Sequence, residues 1–517
     1  MPKKLRKTLD KWQFGDFQTP DTLAQEVVKI LKHSHKIEPD TIIEPSCGKG
    51  AFIRAALIEF SQSDVLGFDI NKEYIEQARS SIAKYPNLKN ATMRELDFFS
   101  ANWNQIIAQQ DGYILIVGNP PWVTSSELSI LNSKNAPLKT NFQNRRGIEA
   151  ITGSGNFDIS EWMLLQYVKW LSKRAGTIAV LCKYSVARKV IKQVKGNLKK
   201  RFSRCVYLVD AKAYFGASVE ACLFILHSDG SDGDADCKVY EKLDSTKPMR
   251  IISERDGIML SNSYVYEKWK HLLGNELRYI WRSGVKHDCS KVMELERSAG
   301  KFKNGFGCEY LLEGDYLYPL LKSSDVGNGR IKSYRKLALI TQRTVGEDTS
   351  TIKKNAPKTW QYLQEYKSYL DKRKSSIYKD KPDYSIFGVG SYTFKFWKIA
   401  ISGLYKQLGF QLVGPLDGKA AVFDDTVNFL SFDTEDEARF VFSLVTSRPS
   451  QDVLNSMIFW DEKRPVTINI LRRLSLKAVS KELDVLDQYL FWATTVQTDA
   501  IGQFELGLAE KNAHYEV

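Results

Sequence analysis

The sequence predicts an α/β fold: a doubly wound, mainly parallel sheet in the first half, followed by a mixed α+β domain. Three observations carry that reading. Short β-rich runs alternate with helical segments up to about residue 230, the order that a parallel sheet with crossover helices requires. Past about residue 280 the alternation gives way to short runs broken by Gly, Asn, Asp and Ser, with Tyr, Trp, Phe, Lys and Arg interleaved, as in YLYPLLKSSDVGNGR and FGVGSYTFKFWKIAISGLY. A chain of 517 residues is also longer than one hydrophobic core spans. Two domains are therefore expected, residues 1–275 and 276–517.

The elements of the first domain follow in order. TIIEP (41–45) is a β-branched run and reads as a strand. GAFIRAALIEF (50–60) has apolar residues at helical spacing. DVLGFDI (64–70) is the next strand and NKEYIEQARSSIAKY (71–85) the next helix. ATMRELDFF (91–99), YILIVGNPPW (113–122), GTIAVLCKY (176–184) and CVYLVDA (205–211) continue the strands. The long helix ISEWMLLQYVKWLSKR (159–174) falls between two of them, and EACLFILH (220–227) closes the series. HSDGSDGDADC (227–237) is polar and glycine-rich and reads as an exposed turn region. Such sheets bind ligands at the carboxyl ends of their strands.

Composition narrows the class. Hydrophobic content of 43% and charged content of 26% suit a soluble globular protein. No apolar run approaches the ~18–20 residues of a membrane helix. MPKKLRKTLDKW, at the start, is basic but lacks the apolar stretch of a secretory signal, so a cytoplasmic setting with no membrane partner is expected. The seven cysteines form no CxxC pair, and the six histidines form no HExxH; neither disulfides nor a metal site is expected. Net charge is +13, and between Lys301 and Phe410 there are 20 Lys and Arg against 10 Asp and Glu. A basic field concentrated in the second half suits a polyanion, and nucleic acid is the first candidate. Lys322, Arg330, Arg343, Lys395 and Lys398 are the candidate phosphate contacts.

IIEPSCGKGAF (42–52) joins a strand to a helix through a glycine-bearing turn. Gly48 and Gly50 allow backbone conformations and a close ligand approach that a Cβ would block, and a nucleotide-like ligand would rest against the helix start. The next strand ends in Asp69, where α/β folds hold a ribose hydroxyl pair. The third ends in LDFF, where Asp97 can accept from an adenine amino group and Phe98 can cover the ring. Each acid alone also reads as a cap or turn residue; three consecutive strands ending in suitable groups do not.

The fourth strand ends in Asn119, Pro120, Pro121 and Trp122. The prolines fix φ and hold the peptide rigid. The Asn119 amide oxygen and the Pro120 carbonyl are two close acceptors that can grip both hydrogens of one exocyclic NH2 group. Trp122 offers a flat face for a planar base. Hydrogen bonds from the N–H groups return density to a nitrogen whose lone pair is otherwise delocalised into the ring, a form of electrostatic preorganisation.

With these motifs in this order, the sequence resembles the gamma-class N6-adenine DNA methyltransferases of restriction–modification and related phage-defence systems. The resemblance spans roughly residues 12–230 and implies a Rossmann-like class I methyltransferase domain dependent on S-adenosylmethionine (AdoMet), followed by a target-recognition domain. It makes NPP-aromatic the catalytic motif. FQTP (17–20) looks like the segment closing over the methionine end of AdoMet, which implicates Thr19 and Pro20. EPSCGKGAF looks like the AdoMet loop, implicating Glu44, Pro45 and Cys47 beside the glycines. FDI and LDFF follow as the ribose and adenine contacts, adding Ile70. GNFDISEWMLLQYV (155–168) looks like the segment after the catalytic motif, so Asp158 is expected at the cofactor. YFGASVEACLFIL (214–226) resembles the motif whose aromatic packs on the extruded base, which implicates Phe215. YLYPLLKSSDV (316–326) is similar to the start of target-recognition domains.

The expected reaction is methyl transfer from AdoMet to the N6 amine of an adenine flipped out of duplex DNA. A separate cognate endonuclease is an expected partner. C5-cytosine chemistry needs a cysteine after a proline, and none of the seven stands so. N4-cytosine enzymes usually carry Ser, Thr or Asp in place of Asn119. Protein-glutamine methyltransferases share NPP-aromatic but lack a large basic second domain of this kind, and RNA is a further alternative substrate. A catalytically silent DNA-binding subunit is the non-enzyme alternative. WRSGVKHDCSKVMELE (281–296) reads as an inter-domain or DNA-facing loop.

Overall fold

The computed structural model describes residues 18–83, 90–123, 158–194, 202–217, 219–228, 236–255 and 257–494. The chain divides into two compact units, Met1–Ser263 and Tyr264–Val517. The expected boundary at 275 lies inside the second of these. Leu273 bridges to Leu474, Gly274 N donates to Arg473 O, and Ser475 N donates to Leu272 O, so this stretch is pinned within the second unit.

The first unit opens with α1 (Asp21–Lys29), followed by β1 (Thr41–Glu44), α2 (Ala51–Glu59), β2 (Asp64–Asp69), α3 (Lys72–Ile82) and β3 (Ala91–Glu95). Next come α4 (Trp103–Ala108), β4 (Ile114–Gly118), α5 (Ile159–Trp170), β5 (Gly176–Lys183), α6 (Tyr184–Gln193) and β6 (Ser203–Val209). The unit continues with α7 (Ala211–Phe215), β7 (Ala221–Ser228), β8 (Cys237–Tyr240), β9 (Arg250–Arg255) and β10 (Ile258–Leu260). The sheet order is β3-β2-β1-β4-β5-β7-β6-β8-β9-β10. The first five are mutually parallel, and β7 runs antiparallel between β5 and β6. This is the Rossmann-like class I methyltransferase arrangement. The expected strands are all present, and the differences lie around them: α1, α4, α6 and α7 were not expected, and the strand over 113–122 stops at Gly118. The strand over 91–99 stops at Glu95, and three strands continue the sheet beyond the expected last one. Residues 229–235 of the expected polar turn lie outside the described residues.

The central strands are buried on both faces, β1 and β4 throughout, which is why they read as continuous apolar runs rather than alternating ones. Leu23, Val27, Ile42, Phe52, Val65, Ile75 and Leu115 share one core between the sheet and the helices α1, α2 and α3. The chain builds β1, β2 and β3 toward one edge, then returns to place β4 on the other side of β1. That reversal opens a crevice at the carboxyl ends of β1 and β4.

The second unit is mixed α+β. One sheet has four strands, β11 (Arg282–Ser283), β20 (Val427–Phe432), β17 (Trp397–Ser402) and β18 (Gln411–Val413), in that order. The other has six: β14 (Glu309–Tyr310), β13 (Lys301–Lys303), β12 (Glu294–Ser298), β16 (Lys336–Leu339), β15 (Leu317–Leu321) and β19 (Val422–Phe423). Five helices lie between Glu435 and Thr494. Among the described residues no helix is long and apolar enough to cross a membrane.

Candidate active site

The glycine turn after β1 is fixed from both sides. Cys47 N donates to Phe68 O at 2.7 Å, and Gly48 N donates to Asp69 Oδ2 at 2.8 Å. Gly48 takes φ +48°, and a Cβ there would stand 2.7 Å from Gln18 Oε1. Gln18 Oε1 in turn accepts from Lys49 N at 3.1 Å. The segment Gln18–Pro20 thus lies on the turn through a glutamine that sequence reasoning passed over. Pro20 caps α1 with its carbonyl, which accepts from Ala24 N, and Thr19 beside it is half-buried. Pro45 and Cys47 belong to the same turn. Burial, then the Glu44 and Asp69 carboxyls, pushes the Cys47 thiol far up, so it is an inert packing group here.

Beneath the turn lies Glu44, 2% exposed. Its Oε2 is buried and meets no hydrogen-bond donor among the described residues. Burial raises its carboxyl well above the ordinary range; Asp69 adds to this and Arg54 opposes it. Next door, Gly118 has φ +154°, and a Cβ would press to 3.3 Å from Glu44 Cγ. Gly118 therefore lets β4 close down on Glu44 and release the chain into Asn119.

Asn119 is half-buried with its Oδ1 sealed from solvent; Pro120 is buried and Pro121 partly so. Trp122 is 5% exposed and held by Nε1 donating to Leu181 O at 3.4 Å. Its ring meets Phe215 edge to face, centroids 5.2 Å apart and planes at 70°. Phe215, which the resemblance implicates in packing on the extruded base, here shares a buried contact with Trp122. Residues 124–157, which follow the motif, lie outside the described residues.

The other strand ends complete the crevice. Asp69 also accepts from Asn71 N at 2.8 Å, and Ile70 beside it is 44% exposed. Asp97 Oδ1 accepts from Phe99 N at 3.0 Å in a turn. Phe98 is corrected: it packs inward against Trp103, Tyr167 and Trp170, at 5.1, 6.0 and 5.9 Å. Because β3 ends at Glu95, strand alternation no longer aims residue 98, and the half-buried rings at this place are Phe99 and Trp162, 5.3 Å apart. Asp158 is corrected too. It caps α5 by accepting from Ser160 N, its Oδ1 also takes Ser160 Oγ, and its Oδ2 takes Lys183 Nζ at 2.7 Å. A carboxylate so engaged is an anchor for α5, and its partner Lys183, at the end of β5, is a contact that sequence reasoning missed.

The five cations singled out in the second unit differ among themselves. Lys322 is ion-paired to buried Glu294 at 2.6 Å, Arg330 to buried Asp325 at 3.3 Å, and Lys395 to Asp433 at 2.8 Å. Arg343 is exposed, its guanidinium 4.6 Å over the Phe394 ring. Lys398 is 1% exposed and is withdrawn as a phosphate contact: its ammonium donates to the carbonyls of Thr393, Lys395 and Ala421. The segment 281–296 is internal to this unit. Val285 N donates to Phe423 O, Lys286 pairs with Phe387, and His287 lies 3.6 Å from Glu294.

Comparison with known proteins adds the following. A family model described as a methyltransferase domain matches residues 38–117. The chain is 42% identical to the type II methyltransferase M.NspV of Nostoc sp. over 472 residues, 91% of this chain and 98% of that one. It is 31% identical over 110 residues to the type II methyltransferase M.VspI of Vibrio sp., covering 21% of this chain and 25% of that one. A bifunctional methyltransferase of Rickettsia bellii is 29% identical over 103 residues, 20% of this chain and 17% of its own.

Proposed function

The chain belongs to the type II methyltransferases, and from that premise we propose that it is a gamma-class, site-specific DNA methyltransferase that transfers the methyl group of AdoMet to adenine N6 in duplex DNA. The observation that carries this reading is the Asn119-Pro120-Pro121-Trp122 tetrapeptide at the carboxyl end of β4, directly beside β1 and its glycine turn.

The residues present fit AdoMet. Glu44 is a buried carboxyl with an oxygen that meets no donor among the described residues, the chemistry a cationic group seeks. Gly48 leaves room where a side chain would intrude. Each oxygen of Asp69 accepts a backbone N–H, and a carboxylate with two acceptor oxygens is the group that suits a ribose hydroxyl pair. Ile70, with Phe99 and Trp162, offers apolar faces for an adenine, and Asp97 an acceptor for its amino group. Thr19 and Pro20 close the methionine side. AdoMet, when bound, supplies an electrophilic methyl on a cationic sulfur.

The chain's own residues do the rest. Asn119 Oδ1 and the Pro120 carbonyl accept the two hydrogens of the target amine, orient its lone pair and enrich it. Trp122, fixed through Leu181 O, carries the base on its face once Phe215 yields. The surplus proton leaves to solvent. Lys322, Arg343 and Lys395 remain candidates for phosphate contact, because an ion pair at a surface is exchanged for a phosphate at little cost. A separate endonuclease sharing the target is part of this reading.

The test is methyl-labelled AdoMet offered in parallel with duplex DNA, RNA and protein. Label on N6-methyladenine in DNA is the expected result. Label in RNA, in protein or on cytosine overturns the assignment.

A further inference from the structure

Two strand ends of the second unit meet in a polar shelf that the catalytic reading leaves unused. After β15 the chain enters the short helix α8 (Ser323–Gly327), and after β17 it enters the loop 403–410. Ser323 and Ser402 join the two by a buried hydroxyl–hydroxyl hydrogen bond. The Tyr405 ring lies so close on Gly327 that any side chain at 327 would run into it. An open groove of about 440 Å³ lies here, lined by Gly327, Asn328, Leu404, Tyr405, Lys406 and Gln407.

The side chains on this shelf are exposed yet held. Asn328 spends its amide nitrogen twice, on Ser324 O at 2.7 Å and on Tyr405 Oη at 2.6 Å. Its exposed Oδ1 is thereby left as a fixed acceptor. Asp325, 5% exposed, caps α8 through Lys322 N and binds Nη2 of Arg335 at 2.8 Å and Nη2 of Arg330 at 3.3 Å. Arg335 is 67% exposed and Arg330 50%. With Nη2 engaged on a buried carboxylate, each guanidinium keeps its other N–H groups for a ligand.

A phosphate-gripping surface needs donors alone, and flexible lysines serve it. Here an oriented acceptor stands beside two oriented forks of donors, which is the mixture that base edges require. The ordering cost of these side chains is met within the free protein by Tyr405 and Asp325. We infer that Asn328, Arg330 and Arg335 are sequence-reading residues, with Tyr405 and Asp325 as their positioning residues. The Asn328 oxygen takes an amino hydrogen of adenine or cytosine in the major groove, and an arginine takes O6 and N7 of a guanine. This rests on the reading of the protein as a DNA methyltransferase.

The experiment is to express the full chain, and separately its Asn328→Ala, Arg335→Ala and Tyr405→Phe variants, in a host without DNA methylation, and to map modified bases across the genome. A thermal midpoint for the second unit close to that of the wild type reports that each purified variant is folded. The expected result is one defined target for the wild type. Asn328→Ala then relaxes a single position of it by roughly 5- to 150-fold, Arg335→Ala relaxes a different position by a similar factor, and Tyr405→Phe relaxes the Asn328 position to a smaller degree. An unchanged target with unchanged discrimination in both alanine variants overturns the inference. So does a uniform loss across all sites with the salt slope shallower by about one, the mark of a phosphate contact. A wild-type protein that modifies no DNA overturns the functional reading itself, and the inference with it, a failure distinguishable from the other two.

Discussion

The two units hold their polar groups by different means. In the first, the candidate groups stand at strand ends and are held by the backbone: Asp69 by the N–H groups of Gly48 and Asn71, Asp97 by that of Phe99. In the second, the cations are held by buried carboxylates brought in from elsewhere in the sequence, Lys322 and Lys336 by Glu294, Arg330 and Arg335 by Asp325. A group held by its own turn has its position set once the sheet order is set. A group held by a distant side chain has its position set by packing, and can face solvent or core with little change in local sequence. The first arrangement suits chemistry, which must be placed to a fraction of an ångström; the second suits recognition, which differs from target to target.

The largest effect expected from this contrast is at the strand end itself. Asn119→Ala removes one of the two acceptors and lowers methyl transfer about 10²–10³-fold or more, while AdoMet affinity stays within a few-fold. Single-turnover transfer and equilibrium dialysis check the two halves. Near-normal transfer would show that the backbone carbonyl alone suffices, and would break the distinction drawn for the first unit.

The second unit supplies the next effect in size. Lys398→Met leaves three buried carbonyls without a donor, at a cost of about 2–4 kcal/mol, offset in part by relief of a buried charge. It lowers the thermal midpoint of the second unit without changing cofactor binding. Burial brings the Lys398 ammonium down to about 7 from its ordinary 10.5. Between those values the unfolded chain binds more protons than the folded one, so stability rises with pH across that window. Differential scanning calorimetry from pH 7 to 10 should show the slope in the wild type and its loss in the variant. Equal midpoints and equal slopes would mean that Lys398 is an ornament rather than a strut.

Lys398 also shows where sequence reasoning runs out. WKIAIS alternates large apolar with other residues, so period two sends Lys398 to solvent. But β17 lies between β20 and β18 and is covered on both faces, so the alternation has no solvent side to report. The same limit moved Phe98 inward: the stop of β3 at Glu95 is a turn made by Asp97, which an apolar pattern does not record. Asn119, Asp69 and the glycine turn were legible because strand, turn and helix follow one another without a gap. Gln18 and Lys183 were not, because their partners lie 31 and 25 positions away, and neither was the pairing of Asp325 with Arg335, which spans 10. The direction of β7 and the three strands beyond it were likewise invisible, since a strand's partner is chosen by long-range pairing.

The smallest effect, and the finest probe of the contrast, is at Glu44. Its carboxyl is controlled by burial rather than by a turn. With its proton affinity raised above the ordinary 4.5, the folded state binds more protons than the unfolded state from that pH upward. Stability is therefore lost as pH rises from 4.5 toward the raised value, and Glu44→Gln removes that slope. A cation arriving at the carboxyl reverses the balance and expels the proton. AdoMet binding by the wild type should then release a fraction of a proton and tighten with pH. Glu44→Gln should bind about tenfold more weakly, a loss of about 1.4 kcal/mol, with no proton released. Titration calorimetry in two buffers of different ionisation enthalpy reads the proton directly. If wild type and variant release the same amount, Glu44 is a packing residue beneath the turn, and the cofactor's charge is met by the backbone groups that hold the rest of this unit's site.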